Sequence, residues 1–110
     1  MPLAQSLFTG LTITQTGVDA GRVMQSTNDW IGVQINLSSV TGTTPSITFR
    51  VQWSFDNISW SEALPRDVIG TANQPVSVIQ RIPIKGLYWR LAWDVTGTLP
   101  SFLCSANATV

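Results

Sequence analysis

Three carboxylates crowd one stretch of this chain, Asp56, Glu62 and Asp67. A carboxylate pair is what acid–base cleavage of a glycosidic bond requires, provided the surroundings split the two pKa values. The same residues also read as turn and rim charges, because Asp56-Asn57 is ordinary turn chemistry. The Asp56-Asn57 pair could equally lend oxygens to a calcium ion, a hard cation that takes oxygen ligands. Other routes to catalysis close on composition. The chain has no histidine, which removes Ser-His-Asp and Cys-His nucleophilic chemistry and every His-ligated metal site. Its one cysteine, Cys104, can form neither an internal disulfide nor a zinc site and reads as a small buried hydrophobe. No glycine-rich phosphate loop is present. The expectation is therefore a protein that is not an enzyme, with no catalytic residues, no cofactor and no metal.

Five tryptophans are the other candidate site: Trp30, Trp53, Trp60, Trp89 and Trp93. An exposed row of indoles could stack on sugar rings. Trp53, Trp60, Trp89 and Trp93 fall on alternating apolar positions and are expected in a core. Trp30 follows Asn28-Asp29 at a strand start and is the indole expected in solvent. Arg50 and Arg90 fall on the polar faces of central strands, as solvated charges, as partners of Asp94 or stacked on an indole.

The elements that must position these residues are strands. Apolar residues alternate at Ile31, Val33, Ile35 and Leu37, at Ile47, Phe49, Val51, Trp53 and Phe55, and at Trp89, Leu91, Trp93 and Val95. They alternate more weakly at Phe102, Cys104, Ala106 and Ala108. Period two means a strand with one face on a core. Further strands are expected around 11–14, 22–25, 58–64 and 76–82. Nowhere does helical spacing persist. The expectation is an all-β, single-domain antiparallel β-sandwich or jelly roll of about eight strands. Residues 1–10 would be an N-terminal arm and 11–110 the sandwich. Residues 66–75 read as a long connection across one end.

One phrase occurs twice. Val40-Thr41-Gly42-Thr43-Thr44-Pro45-Ser46 returns 55 residues later as Val95-Thr96-Gly97-Thr98-Leu99-Pro100-Ser101. Glycine tolerates positive φ and proline cannot donate to a ladder, so each copy reads as a turn between strands. Upstream of the phrase the two copies are out of phase, as a bulge in one strand would make them. Asp56-Asn57 reads as a two-residue hairpin turn that sets Trp53 opposite Trp60.

Six basic and six acidic residues give zero net charge, which leaves no basic excess for nucleic acid. Only 11% of residues are charged, against an average of about 25%. Either uncharged polar residues keep the surface soluble, or other chains cover much of it, since interface cores are depleted in charge. No stretch approaches the roughly 18 apolar residues of a membrane span. The first residues lack the basic start and apolar run of a signal peptide, so synthesis in a cytosol is expected.

The run Phe49 to Trp60, with Ser54, Asp56, Asn57 and Trp60, followed by Tyr88-Trp89-Arg90-Leu91, resembles the hairpin and strand phrases of discoidin-like, galactose-binding jelly rolls. Asn57 stands where glycine is usual there. Length and the V-T-G-T-x-P-S phrase make the chain similar to small β-sandwich virion proteins of tailed bacteriophages, of the capsid decoration (cement) type. The second resemblance implies a protein made in the host cytoplasm and carried on the capsid surface. Its partners would be the major capsid protein and further copies of itself, as a homotrimer, with no nucleic acid or membrane. The expected interface comprises Pro2, Leu3, Leu7, Phe8, Trp30, Gly42 and Gly97. A tail or baseplate component, or a carbohydrate-binding module, is the alternative.

Overall fold

Two strands are far longer than the rest. In a computed structural model that describes residues 4–26 and 28–109, the elements are β1 (Ala4–Ile13), β2 (Gly17–Val18), β3 (Met24–Gln25), β4 (Trp30–Ser54), β5 (Asp67–Ala72), β6 (Val76–Pro83) and β7 (Tyr88–Thr109). β4 has 25 residues and β7 has 22. They run antiparallel, from Gly32 opposite Thr109 to Ser54 opposite Tyr88. The first half of β4 and the second half of β7 are flanked by β6 and β1. The other halves are flanked by β5 on one side and by β2 and β3 on the other.

The two halves of this ribbon fold onto each other as the layers of a jelly-roll β-sandwich. Phe8 of β1 meets Trp93 of β7 edge-on across the layers, with ring centroids 6.3 Å apart. Likewise, a Cβ on Gly70 of β5 would stand 3.1 Å from Val78 of β6. Between the layers lie the alternating residues: Ile31, Val33, Ile35 and Leu37, then Ile47, Phe49, Val51 and Trp53, all buried. From β7 come Trp89, Leu91, Trp93, Phe102, Cys104, Ala106 and Ala108.

The repeated phrase is where the ribbon folds over. The two copies are not turns between separate strands. They are the bent middles of β4 and β7, and they pair with each other. Thr43 lies opposite Thr98, and the pairs Thr41–Ser101 and Ser46–Thr96 flank it as images under the 55-residue offset. Backbone angles repeat as well, with φ of 118° at Gly42 and 116° at Gly97, and 46° at Thr44 and 50° at Leu99. A register shift between Leu37 and Ser39 then puts the upstream strands out of phase. Gly42 and Gly97, expected in interface loops, are held by this close approach. A Cβ on Gly42 would meet Leu99 O at 2.8 Å, and one on Gly97 would meet Thr44 O at 2.9 Å.

Other expectations are corrected. The segment read as an arm is strand from Ala4 onward, paired to β7, and Leu7 and Phe8 are buried in the core instead of facing a partner. Register shifts between Ser6 and Phe8 and between Phe8 and Leu11 interrupt the alternation there, so two consecutive residues turn inward. Pro2 and Leu3 lie outside the described residues. Residues 67–72, read as part of a connection, form β5 against β4. Residues 58–64, read as a strand, are irregular apart from one bridge between Trp53 and Ser61.

Candidate functional site

Opposite the fold-over, the ribbon's two ends lie together, joined by the four residues between β6 and β7. The long loop after β4, residues 55–66, projects from this end. Its construction starts at Asp56. One carboxylate oxygen accepts the backbone N–H of Ile58 at 2.9 Å and of Ser59 at 2.8 Å, and Ser54 Oγ donates to it at 3.0 Å. The backbone N–H groups of Asp56 and Asn57 donate in turn to Ser54 Oγ. Asn57 takes φ of 61°. These bonds favour the ionised carboxyl, the one from Ser59 most, and hold Asp56 below the usual carboxylate range. The expected two-residue turn is thus a longer, side-chain-capped loop. Trp53 pairs with Ser61, not Trp60, through N–H···O bonds of 2.9 and 3.0 Å. The signal that could have found this is the Ser-x-Asp spacing, since Asp and Ser side chains compete for nearby backbone donors.

The register puts Trp60 outside the core. Its ring lies 4.3 Å from the Arg90 guanidinium on the outer face of the layer, and Arg90 Nε donates to Gln52 at 2.8 Å. Burial alone lowers the Arg90 pKa. Beside it, Arg50 makes two bonds to Asp94, of 3.1 and 3.2 Å, and one to Glu62. Arg66 adds a contact to Asp94 at 3.5 Å. The Arg50 hydrogen bonds hold the Asp94 carboxyl below its ordinary range, and Asp94 in turn raises the Arg50 pKa. Asp67 accepts from Trp53 Nε1 at 2.7 Å and from Lys85 Nζ at 2.9 Å. All three carboxylates therefore serve the architecture. Asp56 caps the loop, Glu62 ties it to Arg50, and Asp67 anchors Trp53 and Lys85.

What the loop presents is apolar. Phe55 is 74% exposed, Ile58 82% and Leu64 96%. Phe55 was expected at the end of a core-facing row; the strand stops at Ser54, and it turns outward. Phe55 and Leu64 border a cleft of about 520 Å³ with Trp53, Glu62, Ala63 and Lys85. A second cleft, of about 640 Å³, lies on the other layer at the same end, with Trp30 at its rim. Trp30 is 44% exposed, while Trp53, Trp89 and Trp93 are buried.

No family model matches the chain, and no curated protein matches its sequence. Among solved structures, Eiger TNF from S. frugiperda aligns at a TM-score of 0.38 and 12% identity, over 88% of this chain and 60% of that one. The carbohydrate-binding module CBM6cm-2 from Cellvibrio mixtus lichenase 5A, in complex with cellotriose, is similar over 99% of this chain and 86% of its own. Its TM-score is 0.51 at 12% identity, a likeness of fold, and it agrees with the β-sandwich described above.

Proposed function

We propose that this chain is a structural protein of a tailed-phage virion, a capsid decoration protein that docks through the apolar tip of residues 55–64. One observation carries the reading: Phe55, Ile58 and Leu64 are held in water by a loop whose backbone is tied down on three sides. Ordering such a tip costs little further entropy on docking, so its apolar area goes mainly into affinity. Low charge over the whole chain supports the same reading, as interface cores are depleted in charge. The role is mechanical. Copies bridge neighbouring capsid subunits and add buried area that resists internal pressure, and association of three copies fits a local threefold point of the lattice. A tail or baseplate component would use the tip in the same way.

Burying three such side chains contributes about 2 kcal/mol each, or about four decades in Kd together. The test is binding to expanded capsid shells by the parent and by Phe55→Ser/Ile58→Ser/Leu64→Ser. These side chains hold nothing in place, so the triple variant should melt like the parent and lose affinity about a thousandfold or more. Equal binding by both proteins would overturn the proposal.

A further inference from the structure

The outer face of the β1–β7–β4–β6 layer is independent of that tip and carries different chemistry. Its outward residues form rows across the strands. Arg81, Gly32 and Thr109 make one row, Ile79, Gln34 and Asn107 the next, and Ser77, Asn36 and Ser105 a third. Apart from Arg81 and Ile79, these rows present amides, hydroxyls and one glycine. Trp30 stands at the open end, with the Arg81 guanidinium 4.8 Å from its ring centre. Among the described residues Arg81 and Arg90 have no carboxylate partner, whereas Arg22, Arg50, Arg66 and Lys85 do. Of the two, only Arg81 lies on this face.

The surface is concave where the first row meets Trp30. The cleft of about 640 Å³ is bordered by Asn28, Asp29, Trp30, Gln80, Arg81 and Thr109. A smaller one of about 150 Å³ continues it to Gln34 and Asn107, sharing Gly32, Ile79 and Thr109. Gly32 makes this hollow: a Cβ there would stand 2.7 Å from Thr109 Oγ1. From Trp30 to Gln34 the groove follows the strand for about 13 Å, at about 3.3 Å per residue.

We infer that this groove binds a neutral, extended polysaccharide. Amides both donate and accept, as sugar hydroxyls do, so Gln34 and Asn107 can serve successive hydroxyls without fixed charge. Trp30 offers its indole to the apolar face of a sugar ring, and Arg81 braces that indole. Asp29 and Arg81 at the rim have opposite signs, so the groove has no net charge with which to select an acidic polymer.

Affinity electrophoresis of the whole protein in gels containing hydroxyethylcellulose, galactomannan or xylan tests this, with polygalacturonate as the anionic comparison. The parent should be retarded in at least one neutral gel. Trp30→Ala should reduce that retardation about tenfold or more in apparent affinity. Phe55→Ser should leave it unchanged, which separates this groove from the apolar tip. Circular dichroism and a thermal melt establish that each variant is folded. Absence of retardation in all three neutral gels would overturn the inference, as would Trp30→Ala binding like the parent. Stronger retardation by polygalacturonate would overturn the neutral class. A self-association abolished by Trp30→Ala, with no retardation, would make the face a contact between copies and overturn it too.

Discussion

Replacing Gly42 or Gly97 with alanine strikes the point on which the two layers depend. Both glycines sit near φ of 117°, at 118° and 116°, a backbone conformation that residues with a Cβ rarely adopt. Holding alanine there costs about 1–3 kcal/mol. The new methyl also lands on backbone. At Gly42 it would stand 2.8 Å from Leu99 O and 2.9 Å from Pro100 Cα, and at Gly97 2.9 Å from both Thr44 O and Pro45 Cα. Backbone cannot rotate aside as a side-chain tip can, and overpacking of this kind costs a further 1–3 kcal/mol or so. Each single variant should therefore lose about 3–4 kcal/mol, a large share of the roughly 5–15 kcal/mol available to a domain. At about 4 °C per kcal/mol for this size, the melting temperature falls by about 12–16 °C. Urea and thermal melts followed by circular dichroism provide the assay. Gly21→Ala is the comparison: its Cβ would meet nothing within 4 Å, and it should stay within about 0.5 kcal/mol of the parent. Because the two sites are images of each other, their losses should agree within about 1 kcal/mol. If either variant melts with the parent, the paired bends do not hold the layers together as described.

Asn57→Val should destabilise by about 1–2 kcal/mol in a urea melt, because a β-branched residue resists φ of 61°, while Asn57→Gly should be close to neutral. Asp94 has its folded pKa lowered, chiefly by its hydrogen bonds from Arg50, so its contribution is complete above the unfolded value of about 3.9 and is lost as pH falls through the folded one. Urea midpoints between pH 7 and pH 2 should fall less steeply in Asp94→Asn than in the parent. Burial pushes the Cys104 thiol up to about 11, so the native protein should resist a thiol reagent at pH 8 that labels it at once in urea. The unfolded thiol ionises first, near pH 8.5, so stability should also decline as pH rises from there towards 11, and less so in Cys104→Ala.

The alternating strands were legible because a half-buried strand writes its two faces directly into the sequence. Ile31 to Leu37, Ile47 to Trp53 and Trp89 to Trp93 face inward as their spacing requires. The repeated phrase was legible as a bend but not as a pair. Glycine and proline announce local geometry, whereas the partner of Thr43 is Thr98, and nothing local specifies that. β1 was hidden by its own bulges, which turn Leu7 and Phe8 inward together and break the period. At the candidate site, the exposure of Trp30 could be read from its place after Asn28-Asp29 at a strand start. The position of Trp60 could not. Ser54 and Asp56 lengthen the loop, the bridge moves to Ser61, and that single step sends the indole to the outer face. The exposure of Phe55 follows from the same event, since the core-facing row ends where the capped loop begins.

The proposed decoration role is most directly tested by titrating the purified protein onto expanded capsid shells of a tailed bacteriophage and sedimenting the mixture. A decoration protein pellets with the shells, saturates at a fixed ratio to the major capsid protein, and raises the temperature at which the shells come apart. Protein that stays in the supernatant at every concentration, with shells no more heat-resistant than before, would contradict that role.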